Sequence, residues 1–270
     1  MKVLITGAAS GLGRALALRF AQEGSEICIA DINLAGAAET LSMIEQAGGS
    51  GFTYALDVRY ESQWNQLHDD ILQRWGSLDV VVNNAGVATG DRIDAGEWEW
   101  WNWIIDINLK GVALGCRTFS ALFKKQGKGH FINVASLAGL LSAPSMASYN
   151  ASKAAVIAIS ETMHFELMPY GVGVMALCPG FFRTNLANTM KTSDPEMLKF
   201  VDKVFDKSEL SGEEIAEIAY QAMLKNKLIC NPHPVGRKAY FVKRYLPFLY
   251  RKQMLSMARA LKKREDRKKQ

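Results

Sequence analysis

Val3-Leu4-Ile5 is a short apolar run, and Thr6-Gly7-Ala8-Ala9-Ser10-Gly11-Leu12-Gly13 follows it directly. The run reads as a buried strand. Over about 14–23, Leu16, Leu18 and Phe20 are among the apolar positions of a periodic helix. Strand, glycine-rich turn and helix start, in that order, make a phosphate site. Glycines let the backbone approach a pyrophosphate, and the first amides of the helix point at its charge. The glycine spacing here is G-x-x-x-G-x-G, a departure from the commoner G-x-G-x-x-G.

Working outward, a second strand over 26–30 ends at Asp31. An acid about twenty residues beyond the glycines can accept hydrogen bonds from a ribose 2′-hydroxyl and would repel a 2′-phosphate. Neither Ser10 nor Ile32 supplies a positive charge to welcome that phosphate, although Arg14 lies nearby. The pattern favours NAD over NADP. A strand over 51–56 runs into Asp57-Val58, a helix spans about 60–75, and a strand over 78–82 runs into Asn83-Asn84-Ala85-Gly86. Small and amide residues at a strand's end suit a backbone packed on a flat ring or a sugar. Alternating strands and helices predict a Rossmann-like, doubly wound parallel sheet with helices on both faces and ligands at its carboxyl edge.

Composition narrows the class. At 270 residues, 49% hydrophobic and 22% charged, the chain suits a single globular α/β domain. Cys28, Cys116, Cys178 and Cys230 are widely separated, which argues for free thiols in a cytoplasmic setting. Four scattered histidines make no metal cluster, and none is expected. Met1-Lys2 leads straight into the first strand, so no signal peptide is expected. No apolar run approaches the ~20 residues that span a bilayer. The net charge of +5 is unevenly spread: residues 237–270 carry 13 Lys and Arg against 2 Asp and Glu, leaving 1–236 at −6.

Chemistry enters at Tyr149-Asn150-Ala151-Ser152-Lys153, with Ser136 upstream. The i,i+4 spacing puts a phenol and an ammonium on one helical face. A cation there would lower a tyrosine pKa from its reference of about 10. That predicts a proton donor or acceptor beside an oxygen, as carbonyl–alcohol interconversion requires.

Together these residues resemble the short-chain dehydrogenase/reductase family over about 1–225. The match rests on Thr6-Gly7-x-x-x-Gly11-x-Gly13, Asp57-Val58, Asn83-Asn84-Ala85-Gly86, Asn108, Ser136, Tyr149-x-x-x-Lys153 and Pro179-Gly180, in the family's order and approximate spacing. The resemblance implies that Tyr149 is the general acid/base and that Lys153 lowers its pKa and bonds the nicotinamide ribose. Ser136 would polarise the substrate oxygen, and Asn108 would maintain a proton relay through Lys153. Gly7, Ser10, Gly11, Leu12 and Gly13 would form the pyrophosphate turn, Asp31 would hold the adenosine ribose, and Asp57 and Val58 would flank adenine. Asn83, Asn84, Ala85 and Gly86 would border the cofactor, with Pro179, Gly180 and Thr184 on its nicotinamide side.

Residues 181–210 carry Leu186, Met190, Met197, Leu198, Phe200, Val201, Val204 and Phe205. They read either as a flexible apolar substrate lid or as a helical pair packed on the core. Ser211-Gly212-Glu213-Glu214 reads as a capping box. Trp98, Trp100, Trp101 and Trp103 cannot all face one side of a helix, and partial burial with a subunit contact is expected. Relatives often end in a strand and a Gly-rich segment; here Leu228-Ile229-Cys230-Asn231-Pro232 leads instead toward a helix from about Pro247. Leu246, Tyr250, Met254, Met257 and Leu261 form its apolar stripe among basic residues. That stripe suits an anionic membrane surface, or packing on this domain or a partner. Nucleic acid is not expected.

The reading is one domain over 1–236, with a lid about 181–210 and a basic amphipathic extension over 237–270. It predicts an NAD(H)-preferring oxidoreductase interconverting an alcohol with a ketone or aldehyde, on a small lipophilic molecule. A homo-oligomer pairing helices near 106–125 and 150–168 is expected. The rivals are an NADPH-dependent 3-oxoacyl reductase of the same family, a non-catalytic dinucleotide sensor, and a membrane-surface scaffold.

Overall fold

A computed structural model describes residues 1–183, 186, 189–205 and 208–268. Among them, the strands are β1 (Lys2–Thr6), β2 (Glu26–Asp31), β3 (Ser50–Ala55), β4 (Val80–Asn83), β5 (Gly129–Val134), β6 (Val172–Leu177) and β7 (Ile229–Cys230). The helices are α1 (Gly11–Gln22), α2 (Leu34–Gln46), α3 (Glu61–Trp75), α4 (Trp98–Ile105), α5 (Val112–Gln126), α6 (Leu137–Leu141), α7 (Ala147–Leu167), α8 (Pro195–Phe205), α9 (Gly212–Leu224), α10 (Pro234–Tyr245) and α11 (Pro247–Lys268).

All seven strands are parallel, in the order β3-β2-β1-β4-β5-β6-β7. The order reverses between β1 and β4, which opens a crevice at their carboxyl ends. Near-continuous apolar strands follow from covering both faces: every residue of β4 and of β6 is buried. On one face Leu16 and Phe20 of α1 and Ala219 of α9 join Ile5, Ile29 and Val82. On the other, Trp64 of α3, Phe119 of α5 and Val156 of α7 join Leu4, Val81 and Phe131.

Several expectations change in detail. Helix α1 begins at Gly11, so the last two glycines of the turn are its first residues. Residues 106–111 form a π-helical turn between α4 and α5. Where a helical pair was one reading of 181–210, the described residues hold the single helix α8, with Met197 and Val201 buried. A short final strand is present as β7, paired parallel with β6. The 236/237 division falls inside α10, which Pro234 opens at its first turn. The capping box is present: Ser211 Oγ accepts from Glu214 N at 3.2 Å, and Glu214 Oε2 accepts from Ser211 N at 2.8 Å.

Candidate active site

The glycine turn closes on the end of β4. Asn84 Nδ2 donates to the Thr6 and Gly7 carbonyls at 2.9 and 3.0 Å, and Thr6 Oγ1 accepts from the Asn84 and Ala85 amides. The packing leaves no room at the third glycine: a Cβ on Gly13 would sit 2.2 Å from the Gly7 carbonyl oxygen. Ser10 is the N-cap of α1 but makes no side-chain cap bond, and no acid lies in the first turn. Amides of this turn therefore remain to meet an anion, which fits a pyrophosphate.

Asp31 stands at the end of β2. Its Oδ2 accepts from Ala9 N at 3.0 Å and its Oδ1 from Asn33 N at 2.9 Å, so the acid is tied to the glycine turn. Arg14 is committed elsewhere. Its guanidinium bonds Thr40 Oγ1 at 2.9 Å, the Ala9 and Gly36 carbonyls, and Glu39. Leu56 N donates to Asp31 O at 3.2 Å, which brings Asp57 and Val58 to the same edge. Arg59 pairs with Asp57 at 2.6 Å and holds its carboxyl below the usual range.

Asn83 departs from the expectation that it borders a cofactor. It is the last residue of β4, and strand alternation turns its side chain into the core, where Nδ2 donates to Asn133 Oδ1 at 2.9 Å. Asn133 in turn donates to Ser160 Oγ at 3.0 Å.

The four residues expected to carry chemistry converge at the ends of β4 and β5. Asn108 is fully buried in the π-helical turn. Its Oδ1 accepts from Val87 N at 2.8 Å, while Nδ2 donates to Val87 O at 2.9 Å and Ser152 Oγ at 3.2 Å. Single π-turns inside helices frequently mark functional sites, because the extra residue re-aims side chains. Gly86 lies between Asn108 and Lys153: a Cβ there would be 3.2 Å from Asn108 Oδ1 and 3.4 Å from Lys153 Nζ. Lys153 Nζ donates to the Val134 carbonyl at 2.8 Å. Ser136 caps α6, accepting from Ala138 N at 3.1 Å, and its hydroxyl lies beside the Tyr149 phenol.

Burial sets the protonation balance. It pushes the Tyr149 phenol up, with the Ser136 hydroxyl acting in the opposite direction. It pushes the Lys153 amine down to about 8. The role of Lys153 in lowering the tyrosine's pKa is thus set against burial, which acts the other way. The Lys153 Nζ lies 6.0 Å from the Tyr149 ring centre, engaged by Val134, and removal from water dominates for both groups.

Around the phenol is an apolar wall. Ala88, Ile104 and Met146 pack with Tyr149, and Trp103, Ala138, Leu186 and Met190 lean on them. Thr89 and Ser148 share a buried 2.6 Å hydrogen bond beside this wall. The stretch before α8 docks on the same loop: Lys191 N donates to Ala88 O at 3.1 Å, and Gly90 N to Lys191 O at 3.0 Å. The Lys191 ammonium sits 4.4 Å from the Trp103 ring centre. The tryptophans are partly buried as expected, apart from Trp98, which is exposed and stacks on Trp101.

Pro179 and Gly180 follow β6, and Pro179 O accepts from Leu137 N at 2.8 Å. Thr184 lies outside the described residues. The sequence reading missed His233. This buried residue accepts from Gly180 N at 3.0 Å through Nδ1, and burial lowers its pKa. The imidazole braces the Pro179–Gly180 turn from the N-cap of α10, a long-range contact with no signature in local spacing. Among the described residues no cluster of metal-ligating side chains occurs.

A doubly wound sheet with a glycine turn at its switch point and a buried Ser-Tyr-Lys-Asn set defines a dinucleotide-dependent oxidoreductase class. The family description "short chain dehydrogenase" matches residues 1–195. The chain belongs to the short-chain dehydrogenase/reductase family. The "Probable oxidoreductase EphD" of Mycobacterium tuberculosis is 34% identical over 254 residues, 91% of this chain but 43% of that protein, so the chain spans less than half of that relative. The 3-oxoacyl-[acyl-carrier-protein] reductase FabG of Thermotoga maritima is 35% identical over 69% of this chain and 76% of its own length. A short-chain dehydrogenase/reductase from Burkholderia phymatum, solved in complex with NAD, superposes with a TM-score of 0.86 at 30% identity, covering 92% of this chain and 94% of its own.

Proposed function

We propose that this oxidoreductase interconverts an alcohol with a ketone or aldehyde, using NAD(H), on a small lipophilic molecule. The observation that carries the reading is the convergence of Ser136, Tyr149, Lys153 and Asn108 beside the glycine turn. A nicotinamide dinucleotide would supply or accept the hydride. Gly7, Ser10, Gly11, Leu12, Gly13, Asp31, Val58, Asn84, Ala85 and Gly86 are the residues that would hold it, with Pro179 and Gly180 at its reactive end. Tyr149 gives a proton to the substrate oxygen in reduction and takes it in oxidation. Ser136 orients that oxygen. Lys153 places a positive charge near the phenol, and Asn108 and Ser152 hold the helix turn from which both side chains project.

Tyr149→Phe removes the proton without changing the ring. Its turnover should fall by about 10²–10⁴-fold, while NADH binding, read by fluorescence, stays within about twofold. Unchanged turnover would refute the assignment.

The preference for NAD follows from charge. Asp31 faces the proposed ribose position, and Arg14 is spent on Thr40, Glu39 and two carbonyls. A 2′-phosphate would meet a carboxylate with no free partner. NADH should therefore support turnover at least about fivefold better than NADPH, since about one kcal/mol of repulsion gives that ratio. A preference for NADPH would move the chain toward the 3-oxoacyl reductase reading, which the likeness to the Thermotoga maritima enzyme favours. The lipophilic substrate rests on the wall of Trp103, Met146, Leu186 and Met190. Four buried free thiols suit a reducing compartment, and a homo-oligomer through α5 and α7 is part of the same reading.

A further inference from the structure

The basic end of the chain carries two apolar faces, and they point different ways. Tyr250, Met254, Met257 and Leu261, the stripe evident in the sequence, are half-buried. Helices α10 and α11 are fastened to the body on that side. The Lys243 ammonium donates to Leu140 O at 2.6 Å, and the Tyr250 hydroxyl donates to Leu141 O. Farther along, the Arg264 guanidinium lies 3.5 Å from Asp194 and 3.8 Å from Glu196, at the start of α8. Tyr250 thus meets α6 and Arg264 meets the lid, while Met254 and Met257 between them line a cleft along α11.

The outer side is different. Phe241, Tyr245 and Phe248 are 57%, 62% and 67% exposed around the α10–α11 corner. The Phe241 and Tyr245 rings meet at a tilt with centroids 4.8 Å apart, so they form one patch. Lys238, Arg244, Arg251 and Lys252 are exposed in the same stretch. Such aromatic patches flanked by cations are costly to leave in water.

We propose that this outer α10–α11 corner docks on an anionic phospholipid surface, with Phe241, Tyr245 and Phe248 entering the interface and the cations meeting headgroup phosphates. Charge selects this occupant. Residues 237–270 carry a net +11, so a second copy of the same face would be repelled. A nucleic-acid duplex would neutralise the cations through its phosphates and leave the rings unburied. No helix among the described residues is long and apolar enough to cross a membrane, so the contact is peripheral. Because α11 meets Leu141 at the end of α6, docking sets the lipid surface near the helix whose Ala138 packs against Tyr149. Delivery of a lipophilic substrate from the bilayer rests on the function proposed above; the docking itself does not.

The test is co-flotation of the full chain with phosphatidylcholine vesicles, with and without phosphatidylglycerol. Binding is expected only to the anionic vesicles and should weaken as salt is raised. The double variant Phe241→Ser/Phe248→Ser should lose binding by at least about tenfold, whereas Met254→Ser/Met257→Ser, on the inner face, should keep it. Thermal melting and NADH binding confirm that each variant is folded, and flotation needs no substrate, so failure of the catalytic assignment leaves the result readable. Absence of binding to anionic vesicles, or equal loss for both double variants, overturns the proposal. So does a dimer in solution that Phe241→Ser/Phe248→Ser dissociates without any vesicle binding.

Discussion

Cations sit near aromatic rings at both ends of this molecule, yet α7 and the α10–α11 corner use them in opposite ways. Lys153 is buried against the sheet, bonded to a strand-end carbonyl, and its amine is pushed down to about 8. Lys238, Arg244, Arg251 and Lys252 stand in water. Burying a charge makes it sensitive to every neighbouring dipole and costs stability. Leaving it solvated keeps it available to an anionic partner at almost no cost. The difference lies in what surrounds each charge, not in residue type.

The largest test of that contrast is Lys153→Met. Turnover should fall by about 10²-fold or more, and the protein should become more stable. The sign follows from the pKa shift. Lys153 has a folded value of about 8, against about 10.5 in the unfolded chain. Between those values the unfolded chain keeps a proton that the folded one has released, so stability falls as pH drops through the window and stays lowered at neutrality. The penalty is on the order of 3 kcal/mol. Melting at pH 7 should rise by about 2–4 °C for each kcal/mol recovered. A variant that melts lower would show that the Lys153–Val134 hydrogen bond outweighs desolvation.

His130 gives an effect of similar size away from the site. Burial, with His164 adding to it, lowers its pKa to about 4. Below about 6.5 the unfolded chain takes up a proton that the folded chain refuses, so stability is flat above that pH and lost on acidification toward 4. The loss is on the order of 3 kcal/mol. Urea unfolding between pH 7 and 4.5 should show this slope, and His130→Gln should flatten it. An unchanged slope would assign the acid sensitivity to the carboxylates instead.

The smallest effect belongs to the exposed end. Arg264→Ala removes the ion pairs to Asp194 and Glu196, which are half-exposed. It should cost less than about 1 kcal/mol, read by thermal melting. A larger loss would show that α11 supports the lid more firmly than a surface ion pair can.

Legibility follows the range of the interactions. The glycine turn, Asp31 and the Tyr149–Lys153 spacing are local patterns, and each appears where expected. His233 was missed because its contact with Gly180 joins residues far apart in sequence. The inward turn of Asn83 depends on its strand position against α5 and β5, and α10 was missed because the helical reading began only at about Pro247. Pro234 instead opens the helix.

By itself the sequence determined the parallel alternation of strands and helices and the identity of the groups at the carboxyl edge, because period and turn chemistry are written locally. Only the tertiary structure decided which way burial moves Tyr149 and Lys153, and which face of the basic helices is left to water. Both depend on solvent exclusion by segments distant in the chain, which no local spacing contains.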